Sequence, residues 1–157
     1  MQKEKTSFTK SAKEEAMNYL GYRDHSVLEV KNRLKQKEYC EHEIEECIKF
    51  LEESGFVNDQ RYCEAYLRYA LGKGKGPLRL RQELLKKGIK EETIQECMKE
   101  NIDEELLFSN AMKQVNKITG DVAIDKKMLS KLGRRLSYLG YPAELVYRIL
   151  NQIRGSD

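Results

Sequence analysis

The chain has 157 residues, a formal net charge of +3, 39% hydrophobic residues and 35% charged residues. This length is enough for one ordinary domain, or for several small units that share a continuous core. The presence of only two prolines and a mean hydropathy of −0.74 favour an all-α, water-soluble protein. No apolar run approaches the roughly 20 residues of a membrane-spanning helix, and residues 1–10 lack the apolar segment of a secretory signal. We therefore expect a cytoplasmic protein that contacts no membrane.

Serines indicate where the first two helices begin. Ser11 followed by Glu14, and Ser26 followed by Glu29, have the form of a capping box, in which a serine hydroxyl and a glutamate satisfy free amide groups. The first helix is expected over residues 11–20 and the second after Ser26. A third helix follows, with one apolar stripe at i, i+3, i+4 and i+7. The stripe consists of Ile44, Cys47, Ile48 and Leu51.

Glycine and proline indicate the boundaries of the next helices. A fourth helix is predicted over residues 59–71, and Gly76 with Pro77 opens a fifth, because proline in the first turn forfeits no helical hydrogen bond. Gly88 ends the fifth helix, since glycine adopts the positive φ that reverses the chain. The sixth helix repeats the apolar spacing of the third, at Ile94, Cys97 and Met98.

The last three helices follow the same plan. A seventh helix is predicted over residues 103–119, and Gly140 follows the eighth helix as Gly88 follows the fifth. Glu38 holds this place after the second helix, which predicts a strained or differently built turn there. The ninth helix again carries the apolar stripe, at Val146, Ile149, Leu150 and Ile153.

These helices form three copies of one three-helix repeat. Five apolar positions of the first copy recur without a gap after a shift of 50 residues, and again after a shift of 102. The repeats are expected at residues 11–55, 56–102 and 103–154. Because each is too small to bury a stable core alone, we expect them to stack as an elongated, curved helical solenoid. The five positions in the first copy are Leu34, Tyr39, Ile44, Cys47 and Ile48.

The small net charge hides one acidic segment and one basic segment. Residues 38–53 contain seven acids and one base, whereas residues 68–90 contain eight bases and one acid, Glu83, a net charge of +7. Such a basic segment attracts an anionic partner, either nucleic acid or an acidic protein surface, although a charged helical run can also be only a solvated face. A smaller basic cluster on the eighth helix is expected to extend the same groove. This cluster consists of Lys126, Lys127, Lys131, Arg134 and Arg135.

Two patterns resemble known sites without matching them. Residues 72–76 alternate glycine and lysine, yet no strand precedes them and no Gly-Lys-Ser/Thr sequence follows, so a flexible basic loop is favoured over a phosphate-binding loop. Cys40, His42 and Cys47 match no zinc spacing, and Cys47 falls on a core position, so reduced, packed thiols are favoured over a metal site. His25 is interpreted as a surface or capping neighbour. We expect no metal, no cofactor and no catalytic residue.

Three tyrosines share one face of the fourth helix. Tyr62, Tyr66 and Tyr69 lie at i, i+4 and i+7. Core packing is favoured because Tyr66 and Tyr69 correspond to Ala16 and Tyr19 of the first repeat. The alternative is a stacking platform for single-stranded bases beside the basic loop.

The second repeat carries the most specific resemblance to a known family. Residues 55–62, GFVNDQRY, and residues 76–89, GPLRLRQELLKKGI, resemble the RecX family of recombination regulators. Residues 23–26, RDHS, with Glu29 behind them, do so as well, and the resemblance extends over residues 12–153. The departures fall at packing or turn positions, namely Val30, Glu38, Tyr62 and Cys63.

This resemblance implies a regulator without enzymatic activity that binds filaments of the RecA recombinase and restrains their ATPase and strand-exchange activity. Single- or double-stranded DNA is a further partner to consider, and the chain is expected to be monomeric. The alternative is an independent DNA-binding protein that reads DNA with the third helix of a repeat, which the acidic character of that helix in the first repeat disfavours. The predicted partner contacts are Arg68, Lys73, Lys75, Arg79, Arg81, Lys86 and Lys87, with Lys131, Arg134 and Arg135 in a secondary role.

Overall fold

The computed structural model describes residues 10–155, and every regular element in that part of the chain is an α-helix. The all-α prediction is therefore confirmed. The chain divides into two compact units, Met1–Tyr62 and Cys63–Asp157, called here the N-terminal and the C-terminal unit. The elongated, curved form and the three repeat boundaries stay predictions. The helices in the described residues are α1 (Ala12–Leu20), α2 (Val27–Gln36), α3 (Glu41–Glu53), α4 (Asp59–Gly72), α5 (Pro77–Lys86), α6 (Glu91–Asn101), α7 (Glu104–Thr119), α8 (Lys126–Leu139) and α9 (Ala143–Gly155).

The helix starts follow the predicted capping pattern. The Ser26 hydroxyl accepts a hydrogen bond from the Glu29 N–H at 3.2 Å, and the Glu29 carboxylate accepts one from the Ser26 N–H at 3.1 Å, so α2 begins with a capping box. The Ser11 hydroxyl likewise accepts from the Glu14 N–H at the start of α1. Pro77 lies in the first turn of α5, as predicted.

The N-terminal unit buries the predicted apolar stripes of its helices in one core. The start of α4 also belongs to this unit, because the Val27 N–H donates to Asp59 Oδ1 at 2.9 Å. This bond satisfies one of the free amide groups at the start of α2. The buried core consists of Ala12, Ala16, Val30, Leu34, Tyr39, Ile44, Cys47, Ile48, Leu51 and Val57.

His25 lies in the interior of this unit, so its interpretation as a surface residue is wrong. It is 4% exposed and stacks on Tyr19, with ring centroids 3.7 Å apart. Burial lowers the pKa of His25, which favours the neutral imidazole. Burial alone raises the pKa of the neighbouring Glu29, but hydrogen bonds from Arg23 and Ser26 outweigh it and lower that pKa to about 2. A charged Arg23–Glu29 pair therefore lies beside a neutral ring.

The chain reverses after α2, α5 and α8 with the same backbone turn. Gly88 and Gly140 have φ angles of +81° and +99°, and Glu38 has a φ of +65°. The Tyr39 N–H donates to the Leu34 carbonyl at 3.2 Å, and the equivalent bonds close the other two turns at 3.1 and 3.2 Å. The turn at Glu38 is therefore strained, and it is built like the two glycine turns.

The C-terminal unit buries side chains from each of its helices. Helices α7, α8 and α9 contribute one core, and α4, α5 and α6 contribute further fully or nearly fully buried side chains. The first group is Ala111, Val115, Leu132, Leu136, Leu139, Tyr141, Leu145, Val146 and Ile149. The second is Cys63, Leu67, Ala70, Leu71, Leu80, Leu84, Ile89, Ile94 and Cys97.

Within this unit the start of α5 is docked on the end of α8. The Gly76 N–H donates to the Leu139 carbonyl at 2.7 Å, and the Leu78 N–H donates to the Gly140 carbonyl at 2.9 Å. N–H groups at the start of α5 that have no partner within their own helix thus donate to carbonyls at the end of α8 that have none in theirs. A Cβ on Gly76 would lie 2.4 Å from the carbonyl carbon of Gly140, and a Cβ on Gly140 would lie 2.5 Å from the Arg79 Cβ. Only glycine allows this approach of the two backbones.

Residues 72–76 form a fixed turn, and the expectation of a flexible loop is wrong. The Tyr141 hydroxyl donates to the Gly74 carbonyl at 2.8 Å in the interior, and burial raises the pKa of Tyr141 to about 12. The Lys75 N–H donates to the Ala70 carbonyl at 3.2 Å. Residues far away along the chain therefore hold the turn, which is why its glycine content misled the sequence interpretation.

Candidate partner-binding surface

Glu83, the single acid of residues 68–90, organises the positive side chains around it. Its carboxylate accepts hydrogen bonds from the Lys75 Nζ at 2.9 and 3.0 Å, the Arg79 Nε at 3.2 Å and the Tyr66 hydroxyl at 2.6 Å. Burial raises the pKa of Glu83, but these three hydrogen bonds outweigh it and hold the pKa below its ordinary value. Two of the predicted contact residues are thus already paired with an internal carboxylate.

The remaining predicted contacts of α4 and α5 lie outside this network. Arg81 pairs with Glu91 at 2.6 Å across the turn between α5 and α6. Lys86 is exposed and Lys87 is half-buried at the end of α5, where positive charge complements the helix dipole. Arg68 is exposed on α4. The basic segment is therefore spread over several directions on these two helices.

Arg79 meets the basic cluster of α8 at Tyr138. The Arg79 guanidinium lies 4.9 Å from the centroid of the Tyr138 ring, and the Arg135 guanidinium lies 5.4 Å from it. Tyr138 is nevertheless 64% exposed. Cations at this distance from a tyrosine ring are attracted by its negative face. The prediction that α5 and α8 contribute to one basic groove thus gains a physical connection at Tyr138.

Two open grooves adjoin α7, and among the described residues neither is lined by a carboxylate. One lies along α7 and α8 and the other between α7 and the turn at residues 72–74; Lys117 lines both. Sequence reasoning missed Lys113 and Lys117, although their i, i+4 spacing places them on one face of α7. The first groove is lined by Lys117, Ile118, Lys131, Arg134, Arg135 and Tyr138. We call this groove, together with Arg79, the Tyr138 surface.

The tyrosines of α4 have three different environments. Tyr62 is 6% exposed and Tyr66 is half-buried, so core packing is confirmed for Tyr62 and holds in part for Tyr66. Tyr69 is 66% exposed, with the Lys73 Nζ 5.5 Å from its ring centroid. The packing interpretation is wrong for Tyr69, because this helix face is uncovered two turns after Tyr62.

Helix α5 also exposes apolar side chains that the sequence interpretation did not identify. Leu78 is 54% exposed and Leu85 is 40% exposed, and their seven-residue spacing places them on one helix face. Leu80 and Leu84, which lie between them in the sequence, are fully buried. An apolar stripe beside exposed cations is typical of protein contact surfaces.

Cys40, His42 and Cys47 lie in different environments. Cys40 is exposed and Cys47 is buried, and the His42 Nε2 lies 3.1 Å from the Glu46 carboxylate. Across residues 10–155, no group of three or more histidine, cysteine, aspartate or glutamate side chains is arranged to hold a metal ion. In the same part of the chain no helix is long and apolar enough to cross a membrane.

The fold and the surface together define a tandem helical protein with a basic groove along α7 and α8. Two family models match the chain: the first three-helix domain of RecX over residues 12–51, and the second three-helix domain of RecX over residues 58–98. The chain therefore belongs to the RecX family, which consists of regulatory proteins and not of enzymes.

Full-length comparisons agree with the two family models. The regulatory protein RecX of Pseudomonas syringae pv. tomato is 31% identical over 144 residues, which cover 90% of this chain and 91% of that protein. The regulatory protein RecX of Vibrio vulnificus is 34% identical over 87% of this chain and 88% of its own length. The crystal structure of RecX from Lactobacillus salivarius has the same fold, with a TM-score of 0.81 at 23% identity over 91% of this chain and 94% of that chain.

Proposed function

We propose that this chain binds RecA nucleoprotein filaments and lowers their ATPase and strand-exchange activity in DNA recombination and repair. Membership of the RecX family supports RecA as the partner. The observation that carries the proposal is the convergence of Arg79, Arg135 and the groove of α7 and α8 at Tyr138. A nucleoprotein filament offers phosphates and acidic protein groups together, and a basic groove whose described lining residues include no carboxylate attracts both.

The structure supports unequal roles for the ten predicted contacts. Lys75, Arg79 and Arg81 each pair with a carboxylate, so they offer less free charge and chiefly hold their neighbours in place. The exposed cations of α8 pair with no carboxylate among the described residues, so they carry most of the proposed attraction. The contacts of the proposed set that are exposed and pair with no carboxylate among the described residues are Arg68, Lys73, Lys86, Lys131, Arg134 and Arg135.

Binding in this way would oppose the RecA cycle. ATP turnover in a filament needs neighbouring subunits to move, and a rigid protein bridging several of them resists that motion. The docking of Gly76 on Gly140 and the Tyr141–Gly74 hydrogen bond make the C-terminal unit rigid at the proposed surface. The exposed Leu78 and Leu85 supply apolar contact beside the cations.

The test is a charge reversal that leaves the internal ion pairs intact. The double variant Lys131→Glu/Arg134→Glu changes two exposed residues and keeps the network of Glu83. We expect its affinity for RecA filaments on single-stranded DNA, measured by co-sedimentation, to fall about tenfold or more, since each reversal replaces attraction by repulsion. The matched control, Lys35→Glu/Lys49→Glu, makes the same change in charge on exposed sites of the N-terminal unit and should bind normally. Equal binding of both variants would remove the Tyr138 surface from the interface.

Independent DNA binding is the second candidate, because an exposed tyrosine among cations also suits nucleic acid. Anisotropy of a labelled oligonucleotide, titrated with salt, distinguishes the two. Phosphate contacts alone give affinity that falls steeply as salt rises. We expect naked DNA to bind more weakly than the filament at every salt concentration; tight, salt-sensitive binding without RecA would favour the second candidate.

A further inference from the structure

A second surface of α8 lies away from the Tyr138 surface and has different chemistry. An open cleft of about 1160 Å³ runs between α8, α9 and the segment that precedes α8. On a helix of 3.6 residues per turn, Leu129 points about 165° and Ser130 about 95° away from the mean direction of Lys131, Arg134 and Arg135. The cleft is lined by Ala123, Ile124, Asp125, Lys126, Leu129, Ser130, Leu150, Ile153 and Arg154.

The floor of this cleft is apolar and accessible. Leu150 and Ile153 belong to the predicted stripe of α9, but they are only half-buried and pack at the edge of the core. Ile124 is 39% exposed and the nearby Val122 is 64% exposed. Apolar side chains left open in this way provide the surface that an amphipathic segment covers when it binds.

The rim of the cleft is positively charged. Lys126 and Arg154 line it, and neither forms an ion pair with any carboxylate of residues 10–155. Among the described lining residues the one acid is Asp125, the N-cap of α8, whose carboxylate accepts from the Met128 N–H at 2.8 Å. Two positive side chains and one negative side chain of residues 10–155 therefore surround the apolar floor.

The lysines in the first turn of α8 have the charge opposite to that which stabilises the start of a helix. Acidic residues stabilise a first turn, because the N-terminus of a helix dipole is positive. The first turns of α1, α3, α6 and α7 each carry two acids, whereas those of α5 and α8 carry none, and α8 begins with Lys126 and Lys127. The helix dipole does not favour cations at this place, whereas an acidic partner would be attracted by them.

We propose that this cleft binds an acidic amphipathic helix of a partner protein. Leucine-like side chains of that helix would cover Ile124, Leu129 and Ile153, and its carboxylates would face Lys126 and Arg154. The cleft has a volume of about 1160 Å³ and is open to solvent, which suits a helix laid in a groove better than an enclosed small molecule. This interaction goes beyond the proposed binding to RecA filaments through the Tyr138 surface and does not depend on it.

The experiment uses two labelled synthetic peptides of about 14 residues, or four helical turns. Both carry the same leucine stripe, and their other positions are glutamate in one and lysine in its counterpart. We expect the full chain to bind the glutamate peptide about tenfold more tightly, by fluorescence anisotropy, since two rim cations attract one peptide and repel the other. Equal binding of the two peptides, or no binding of either, would overturn the proposal.

Variants then locate the binding site. Lys126→Glu/Arg154→Glu alters exposed residues only and should reverse the preference toward the lysine peptide. Arg134→Glu/Arg135→Glu makes the same change in charge on the Tyr138 surface and should keep the preference of the parent chain. Ile124→Ser should lower the affinity for both peptides by a similar factor, because it removes apolar contact without changing charge. The proposal predicts that only the Lys126/Arg154 variant loses the preference for the glutamate peptide. If instead the Arg134/Arg135 variant loses this preference and the Lys126/Arg154 variant keeps it, the peptide binds elsewhere and the inference is contradicted.

Discussion

Replacing Glu38 by glycine should stabilise the N-terminal unit. Glu38 has a φ of +65°, and its turn has the same hydrogen bonds as the turns at Gly88 and Gly140. A left-handed conformation costs an L-residue roughly 1–2 kcal/mol, and the extra freedom of glycine in the unfolded chain offsets roughly 0.5–1 kcal/mol of the gain. We therefore expect the relief of this strain to contribute about 0.5–1 kcal/mol to the free energy of unfolding of Glu38→Gly.

The charge of Glu38 has to be separated from its backbone angle. A negative charge at the end of α2 opposes the helix dipole, so its removal alone stabilises by about 0.3–1 kcal/mol. Glu38→Ala removes the charge and keeps the Cβ, so it isolates this contribution. The free energy of unfolding of Glu38→Gly should exceed that of Glu38→Ala by about 0.5–1 kcal/mol. Gly88 has the same backbone conformation at an exposed position, so Gly88→Ala should lower the free energy of unfolding by about 1 kcal/mol.

Urea denaturation followed by far-ultraviolet circular dichroism measures these differences. The slope of free energy against urea should stay constant across the series, because no variant alters the buried surface. If Glu38→Ala proves as stable as Glu38→Gly, or more so, the positive φ is not the source of strain and the reasoning fails.

Two further predictions concern buried polar groups. The pKa of Glu29 is about 2 when folded and 4.5 in the unfolded chain, so its contribution of about 3 kcal/mol to stability is present above pH 4.5 and is lost as the pH falls toward 2. Glu29→Gln should reduce this loss of stability at acidic pH in denaturation curves measured from pH 7 to pH 2. The same loss of stability in the variant and the parent chain would contradict the assignment. Tyr141→Phe removes the donor to the buried Gly74 carbonyl and should lower the free energy of unfolding by about 1–3 kcal/mol. Amide hydrogen exchange should then accelerate at residues 72–76. Unaltered exchange would show that this hydrogen bond does not fix the turn.

The helices and their apolar stripes could be predicted from the sequence, because they depend on local patterns. The capping box at Ser26 and the proline in the first turn of α5 are signals within a few residues, and both are confirmed. Glu38 was also recognisable, since two glycines hold the equivalent places in the other copies.

A long-range contact explains the error at residues 72–76. Nothing in residues 72–76 reveals that Tyr141 holds Gly74, so lysine and glycine alone indicated flexibility. Two errors have local causes. The charge count of residues 68–90 did not consider that Glu83 lies within reach of Arg79 at i, i+4 and of Lys75, so two of the counted bases are paired. Lys117 was overlooked because Glu104 and Glu105 balance the lysines of α7 along the sequence but lie at the other end of the helix.

The effect of this chain on RecA-dependent ATP hydrolysis tests the central proposal most directly. RecA assembled on single-stranded DNA is titrated with the parent chain and with Lys131→Glu/Arg134→Glu, and ATP hydrolysis is followed at constant salt. We predict that hydrolysis falls as the parent chain is added and that the variant needs about tenfold higher concentration for the same effect. Hydrolysis that stays constant up to an excess of the parent chain would contradict the account.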